Sequence, residues 1–328
     1  MALDPLRIWA VSDGRAGMEA QAQGLGEAIA RQRPARLDIR RIAYRGGAGR
    51  LPWPLIWPPR ALLRPGSGIS PPWPDIWIAT GRATLPFSMR MRRWSRGRTF
   101  VVQTQDPRTS LSAFDLVAPP LHDRLEGPNV FPILGAPNRV TQESLAAARA
   151  RFADRLAGLA HPRICVAVGG RSKAHDLPSG LAGRMAREIA DAIEGHGGSL
   201  MLTFSRRTPP EARQAMTREL SAVPGWIWDE TGDNPYFGFL AHADAVLVTE
   251  DSTNLATDAA ATGRPVFVLP MAGHSRKLAD FHAELRARGI SAPFSGSFEG
   301  PAYTPLCETE RLAAEVLRRF DLAREAGR

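Results

Sequence analysis

Five polar residues in a row, Glu250, Asp251, Ser252, Thr253 and Asn254, stand between an apolar run, Ala245-Val-Leu-Val-Thr249, and a helix-forming stretch that Gly263 ends. A second apolar run, Val266-Phe-Val-Leu269, follows. This order reads as strand, loop, helix, strand, which places the five residues at the carboxyl edge of a parallel sheet, where open α/β folds bind ligands. The two carboxylates repel a phosphate at such a helix start, so neutral hydrogen bonds from Ser252, Thr253 and Asn254 suit sugar or phosphate oxygens. Asp258, about one turn into the helix, suits ribose hydroxyls. Helix capping by Asp251 or Ser252 is the plainer role and is compatible with binding.

Two basic loops follow other apolar runs. Gly169, Gly170, Arg171, Ser172 and Lys173 combine paired glycines, whose amides a ligand can approach, with two cations and a hydroxyl. That set suits a diphosphate. Ser205, Arg206 and Arg207 follow the next run, expected at the same sheet edge, and two converging cationic loops favour phosphate over a merely solvated face.

The first half carries a different set. Asp13, Gly14 and Arg15 join the first strand to the first helix, where the glycine permits close backbone approach and Asp13 alone is most simply a cap. Gln105, Asp106 and Arg108 follow one later strand and His122 and Asp123 the next, so all are expected on one edge. His122 beside Asp123 has the composition of an oriented base, yet sequence neighbours in a strand point apart. There is no serine elbow, nucleophilic cysteine or spaced metal-ligand triad, so neither a metal nor a bound cofactor is expected. Gly24-Leu25-Gly26 falls inside the first helix rather than in the turn before it, which disfavours a nicotinamide dinucleotide.

The elements that must hold these residues alternate. Strands are expected at 7–11, 37–43, 75–79, 99–103 and 114–118, then at 163–168, 199–204, 226–228, 245–249 and 266–269. Helices are expected at 18–31, 140–160, 179–194, 209–221, 235–241, 253–262, 276–288 and 308–324. The pattern is α/β, with parallel sheets covered on both faces. It implies two Rossmann-like domains, residues 1–145 and 146–305, with an interdomain cleft. Residues 306–328 form a last helix whose apolar spacing at Leu312, Val316, Leu317 and Phe320 lets it pack back on the first domain.

Composition narrows the class. The chain has 328 residues, a net charge of +9 and two cysteines, Cys165 and Cys307. Two cysteines make no disulfide framework. The arginine-derived charge should attract phosphates, anionic lipid or nucleic acid, but no nucleic-acid module is recognisable, so nucleic acid is not expected. With no signal-like or spanning segment, a cytoplasmic location is expected. The stretch Leu51-Pro-Trp-Pro-Leu-Ile-Trp-Pro-Pro-Arg-Ala-Leu-Leu-Arg-Pro65 breaks the alternation. Its tryptophans and arginines are residue types of a membrane interface, although a proline-rich loop packing tryptophans on its own domain explains them too.

Several of these motifs occur together in one family. Asp13-Gly14 with Gln21, Gln105-Asp-Pro-Arg108, His122-Asp123, Gly169-Gly170-Arg-Ser172, Ser205-Arg-Arg-Thr-Pro209, Asp233-Asn234-Pro-Tyr236 and Thr249-Glu-Asp-Ser252 make the chain resemble, over nearly its whole length, a bacterial member of the mitochondrial-fission family named for elongated mitochondria. More distantly, the two-domain plan and the 252–265 segment resemble glycosyltransferases of the two-Rossmann-domain (GT-B) class. That resemblance implies a nucleotide-side second domain, including Asn234, and an acceptor-side first domain. It implies metal-independent transfer from a nucleoside-diphosphate sugar to a cell-envelope acceptor, with Asp13 or His122 as base. Asp258 stands where such enzymes commonly carry glutamate. A non-catalytic binding or membrane-remodelling scaffold, peripheral to a membrane, and a nucleotide-sugar epimerase are the competing expectations.

Overall fold

The computed structural model describes residues 4–327, and the chain forms two compact units, Met1–Arg139 with Cys307–Arg328, and Val140–Leu306. In the first unit the chain runs β1 (Leu6–Ser12), α1 (Ala16–Gln32), β2 (Ala35–Arg41), β3 (Ile76–Ala79), α2 (Leu85–Trp94), β4 (Phe100–Gln103) and β5 (Leu116–Val117). These strands make one parallel sheet in the order β2-β1-β3-β4-β5. Strand alternation divides its core in two. Ile8, Ala10, Ile76 and Ile78 face Leu25 and Ile29 of α1, while Trp9, Val11, Trp77 and Ala79 pack with Phe87 and Met91 of α2.

Two sequence features resolve here. A Cβ at Gly24 would stand 2.3 Å from the Asn138 carbonyl oxygen, and one at Gly26 would stand 2.6 Å from Leu37 Cδ1, so this glycine pair serves packing. The α2 helix was not anticipated. Five of its ten residues are buried, Leu85 to Ser88 and Met91, and Trp77 Nε1 donates to Ser88 Oγ at 2.9 Å. Its arginine-rich second half hides the apolar face that tertiary packing uses.

The second unit opens with α3 (Gln142–Leu156), followed by β6 (Arg163–Val168), β7 (His175–Asp176), α4 (Ser179–Gly195), β8 (Ser199–Phe204), α5 (Pro210–Leu220), β9 (Gly225–Ile227) and α6 (Tyr236–His242). Then come β10 (Ala245–Thr249), α7 (Thr253–Ala260), β11 (Val266–Leu269), β12 (Ala272–Gly273), α8 (Arg276–Ala287) and β13 (Ser291–Pro293). Six of these strands form a parallel sheet in the order β13-β11-β10-β6-β8-β9, and β7 pairs with β12 antiparallel. Thr141 and Ser144 cap α3 reciprocally, Thr141 N donating to Ser144 Oγ at 2.9 Å and Ser144 N to Thr141 Oγ1 at 3.1 Å. The expected boundary at 145/146 therefore falls inside a helix. The units divide before it, and α3 belongs to the second, where a Cβ on Gly238 of α6 would meet Phe152 at 2.5 Å.

The last helix, α9 (Glu308–Glu325), belongs to the first unit. Leu312, Ala313, Val316, Leu317 and Phe320 enter the core beside α1, and Arg33 holds Asp321 through two bonds of 2.7 Å. Among the described residues no helix is long and apolar enough to cross a membrane.

Candidate functional site

In the second unit the chain passes from β6 to β8 and β9 on one side and to β10, β11 and β13 on the other. The boundary between β6 and β10 is thus the point where strand order reverses, the position at which open α/β sheets bind ligands. The loops after β6, β8 and β10 meet there around one carboxylate. Asp251, whose side chain is fully buried, accepts from Thr249 Oγ1 at 2.7 Å, from the Gly170 amide at 3.0 Å and from Arg207 Nη2 at 2.8 Å. Arg207 also donates to the Gly170 and Arg171 carbonyls at 3.4 and 3.3 Å.

This geometry corrects the expectation of open glycine amides. Gly169 N donates to Thr249 Oγ1 at 2.7 Å, Gly170 N to Asp251, Arg171 N to the Arg207 carbonyl at 2.9 Å and Ser172 N to the His175 carbonyl at 2.8 Å. The glycines allow close approach of chain to chain instead. A Cβ on Gly169 would lie 2.0 Å from Asp251 Oδ1, and one on Gly170 would lie 2.1 Å from the Arg207 carbonyl oxygen. Arg171 is also committed, to Asp176 at 2.9 Å and Glu211 at 3.3 Å. Hydrogen bonding to Arg171 lowers the Asp176 pKa, and the same contact raises that of Arg171.

Two cations remain uncommitted. Lys173 and Arg206 are exposed, and neither has an ion pair among the described residues. Arg207, next to Arg206 in the chain, leaves 46% of its side chain accessible. Helix α7 begins at the same edge, with Ser252 Oγ accepting from Leu255 N at 3.3 Å as its cap, and with Thr253 and Asn254 half-buried in its first turn. A helix start flanked by cationic loops is a setting for an anion.

Glu250 does not take part as a free acid. Its Oε1 accepts from Met271 N at 2.6 Å, and its carbonyl accepts from Nε2 of buried His282 at 2.9 Å. Burial lowers the His282 pKa. Asp258 accepts from the Tyr236 hydroxyl at 3.1 Å, and Asn234 Oδ1 accepts from Tyr236 N at 2.9 Å, so the start of α6 faces the middle of α7. Burial first, then the Asp258 charge, raise the Tyr236 pKa well above that of a free phenol.

The first unit has its own reversal point, between β1 and β3. Asp13 stands there, held by Arg15 through its amide at 3.2 Å and Nε at 2.8 Å, beside Gly14. Gln105 Nε2 donates to Gln21 Oε1 at 3.1 Å, while Asp106 Oδ1 accepts from the Arg108 amide at 2.8 Å. His122 and Asp123 share a short turn beyond β5. β3 and β4 separate β1 from β5, so Asp13 and that turn follow strands three places apart in the sheet. Asp13 holds the position at the reversal point.

Sequence reasoning quoted Thr249 and Thr208 only within motifs and gave them no role, and it passed over His282 and the Thr80-Gly81 turn. Thr208 Oγ1 donates to the Val168 carbonyl at 3.2 Å and to that of Gly169, and Thr80 and Thr104 share a 2.6 Å hydroxyl contact. Only strand order reveals these, since each hydroxyl bonds to a loop distant in sequence. Among the described residues no group of three His, Cys, Asp or Glu side chains is arranged to hold a metal ion.

Comparison with solved structures gives the fold a context. UDP-GlcNAc 2-epimerase from Methanocaldococcus jannaschii matches with a TM-score of 0.54 at 11% identity, over 95% of this chain and 100% of that one. The Neisseria meningitidis UDP-GlcNAc 2-epimerase bound to UDP-GlcNAc matches at 0.53 and 12%, over 96% and 100%. Os79 from O. sativa in complex with UDP matches at 0.52 and 11%, over 98% and 94%. Among sequences, mitochondrial fission protein ELM1 of Arabidopsis thaliana is 31% identical over 272 residues, covering 75% of this chain. The chain spans 64% of that relative's length. An uncharacterized Rickettsia prowazekii protein is 24% identical over 361 aligned positions, 95% of this chain and 98% of its own. The family described as Mitochondrial fission ELM1 matches residues 16–320. The chain belongs to the mitochondrial fission ELM1 family.

Proposed function

We propose that the protein is a metal-independent glycosyltransferase that draws its sugar from a nucleoside diphosphate and delivers it to a hydroxyl of a cell-envelope acceptor. The observation that carries this reading is the convergence of three loops at the β6/β10 reversal point, two of which carry Lys173 and Arg206, cations with no ion pair among the described residues. The solved structures that share the fold and hold UDP or UDP-GlcNAc support a nucleotide-sugar ligand by analogy.

In this reading the bond between the anomeric carbon and the β-phosphate oxygen breaks as the acceptor oxygen bonds to that carbon. The leaving diphosphate gains negative charge, which Lys173, Arg206 and Arg207 offset. Ser252, Thr253 and Asn254 donate to phosphate or sugar oxygens, and Asp258 accepts from the ribose. Asp13, in the first unit, is the candidate base for the acceptor hydroxyl.

Melting in the presence of nucleoside diphosphates tests the ligand. A saturating UDP or GDP is expected to raise the melting temperature by roughly 5 °C, and Lys173→Ala with Arg206→Ala to remove most of that rise. No stabilisation by any nucleoside diphosphate defeats the reading. Labelled UDP- and GDP-sugars then test the reaction. Transfer requires an acceptor, an isomerised sugar without one identifies an epimerase, and binding without turnover identifies a scaffold.

A further inference from the structure

The positive charge of the chain is concentrated. Residues 39–105 hold twelve arginines, no lysine and one acidic residue, Asp75, whereas the whole chain carries +9. Asp75 is itself taken by Arg324 at 2.7 Å and by the Arg7 amide at 2.9 Å. Arg92 finds Asp115 at 3.7 Å, but Arg60, Arg64, Arg90 and Arg93 have no carboxylate partner among the described residues. Burial first, then the like charge of Arg93, lower the Arg90 pKa.

Apolar side chains are pushed out at the same place. Ile56 and Leu63 are buried and pin the proline-rich segment to the sheet, while Leu51, Leu55 and Trp57 are 46%, 64% and 63% exposed. Pro52, Pro54, Pro58 and Pro59 bar a continuous helix, so these three cannot turn inward on an amphipathic face. The segment lies against α2, with the Arg90 guanidinium 4.4 Å from the Trp57 ring centre and that of Arg60 5.9 Å from Trp94. Beside it an open depression of about 530 Å³ is lined by Arg60, Arg64, Ser67 and Ser70.

Protruding leucine and tryptophan on a segment whose arginines, with those of α2, have no carboxylate partner match a surface that is anionic outside and apolar just beneath. A bilayer with anionic lipid has that profile. A nucleic acid offers the charge without an apolar layer for Leu51 and Leu55.

We propose that residues 51–64, with the arginines of α2, form a docking surface for an anionic lipid bilayer. Leu55 and Trp57 enter the boundary between headgroups and acyl chains, and Arg60, Arg64 and Arg90 bind lipid phosphates. The contact is peripheral, because the apolar area is a few side chains and the affinity is mostly electrostatic.

Vesicle flotation of the full chain tests this. The protein is expected to float with phosphatidylcholine vesicles containing phosphatidylserine, to stay behind with pure phosphatidylcholine, and to be released by salt. Arg60→Ala with Arg64→Ala should lower the partition coefficient about 25-fold, at about 1 kcal/mol per arginine. Leu55→Ser with Trp57→Ser should also weaken it, and all four positions are exposed, so an unchanged melting temperature is the expected control. Flotation independent of phosphatidylserine, no flotation at all, or wild-type flotation of both double variants would overturn the proposal. A soluble protein that binds this face in the absence of vesicles would do so as well.

Discussion

The fully buried carboxylate of Asp251 and the half-exposed guanidinium of Arg207 meet at 2.8 Å and join the loop after β10 to the loop after β8. Both residues also reach Gly170, so the pair closes a three-loop junction at the carboxyl edge of the second sheet. Asp251→Asn removes the charge and turns one acceptor into a donor facing N–H groups. A loss of about 2 to 3 kcal/mol in denaturant unfolding is expected, the lower range for a buried pair because Arg207 is partly in water. A double-mutant cycle with Arg207→Ala should return a coupling of about 1 to 3 kcal/mol. Simple additivity would show that the pair does not hold the junction.

Gly170 and Gly183 make a matched contrast. A Cβ at Gly170 would be 2.1 Å from backbone oxygen, whereas one at Gly183, in α4, would meet only Arg187 Nη1 at 3.7 Å. Gly170→Ala is expected to destabilise by about 2 kcal/mol or more, and Gly183→Ala to stabilise by about 0.5 to 1 kcal/mol. Thermal melts of the two variants check the ordering.

The pH dependence of stability should carry the signature of His282. Burial holds its pKa below the ordinary histidine value of 6.5. The folded state therefore keeps the ring neutral while the unfolded chain takes up a proton below that pH, so stability is complete above about 6.5. It falls as the pH drops from there towards the depressed folded value. His242, also lowered by burial, adds in the same direction. Glu315, held at about 2 mainly by its hydrogen bond to Arg318, loses its contribution only below the carboxylate range, from about 4.5 downward. Melting temperatures between pH 5 and 7 should thus slope in the wild type, at about the histidine range, and slope less steeply in His282→Gln, where His242 alone remains. An equal slope in the variant would remove His282 from the account.

Asp258 and Tyr236 make the nucleotide reading specific. If Asp258 accepts from the ribose, UDP should bind more tightly than its 2′-deoxy form, and the difference should vanish in Asp258→Ala. Tyr236→Phe removes the 3.1 Å bond that aims the carboxylate and should weaken UDP about fivefold, the value of one ordinary hydrogen bond. Calorimetric titration reads both. Identical affinities for UDP and 2′-deoxy-UDP in the wild type would take Asp258 out of the site.

Much of the architecture is legible in residue order because strand and helix periods are local properties. The apolar runs at β1, β6, β8, β10 and β11 and the capped helix after Ser252 follow from neighbours in the chain. Helix α2 and the short strands β7, β12 and β13 do not, because their support comes from residues far away in sequence. Candidate site residues divide the same way. Their clustering in loops that follow strands was readable, but the partner of each side chain was not.

Residue identity alone determined the alternation of parallel strands and helices, the excess of arginine, and the family motifs at Asp13, Gly169, Ser205 and Glu250. Tertiary structure decided which groups remain available. It gave the Gly169 and Gly170 amides and Arg171 to other residues, buried Asp251, and left Lys173 and Arg206 in water. The reason is that a hydrogen bond or ion pair depends on spatial proximity, and strand order brings residues 170, 207 and 251 together across 81 positions of chain.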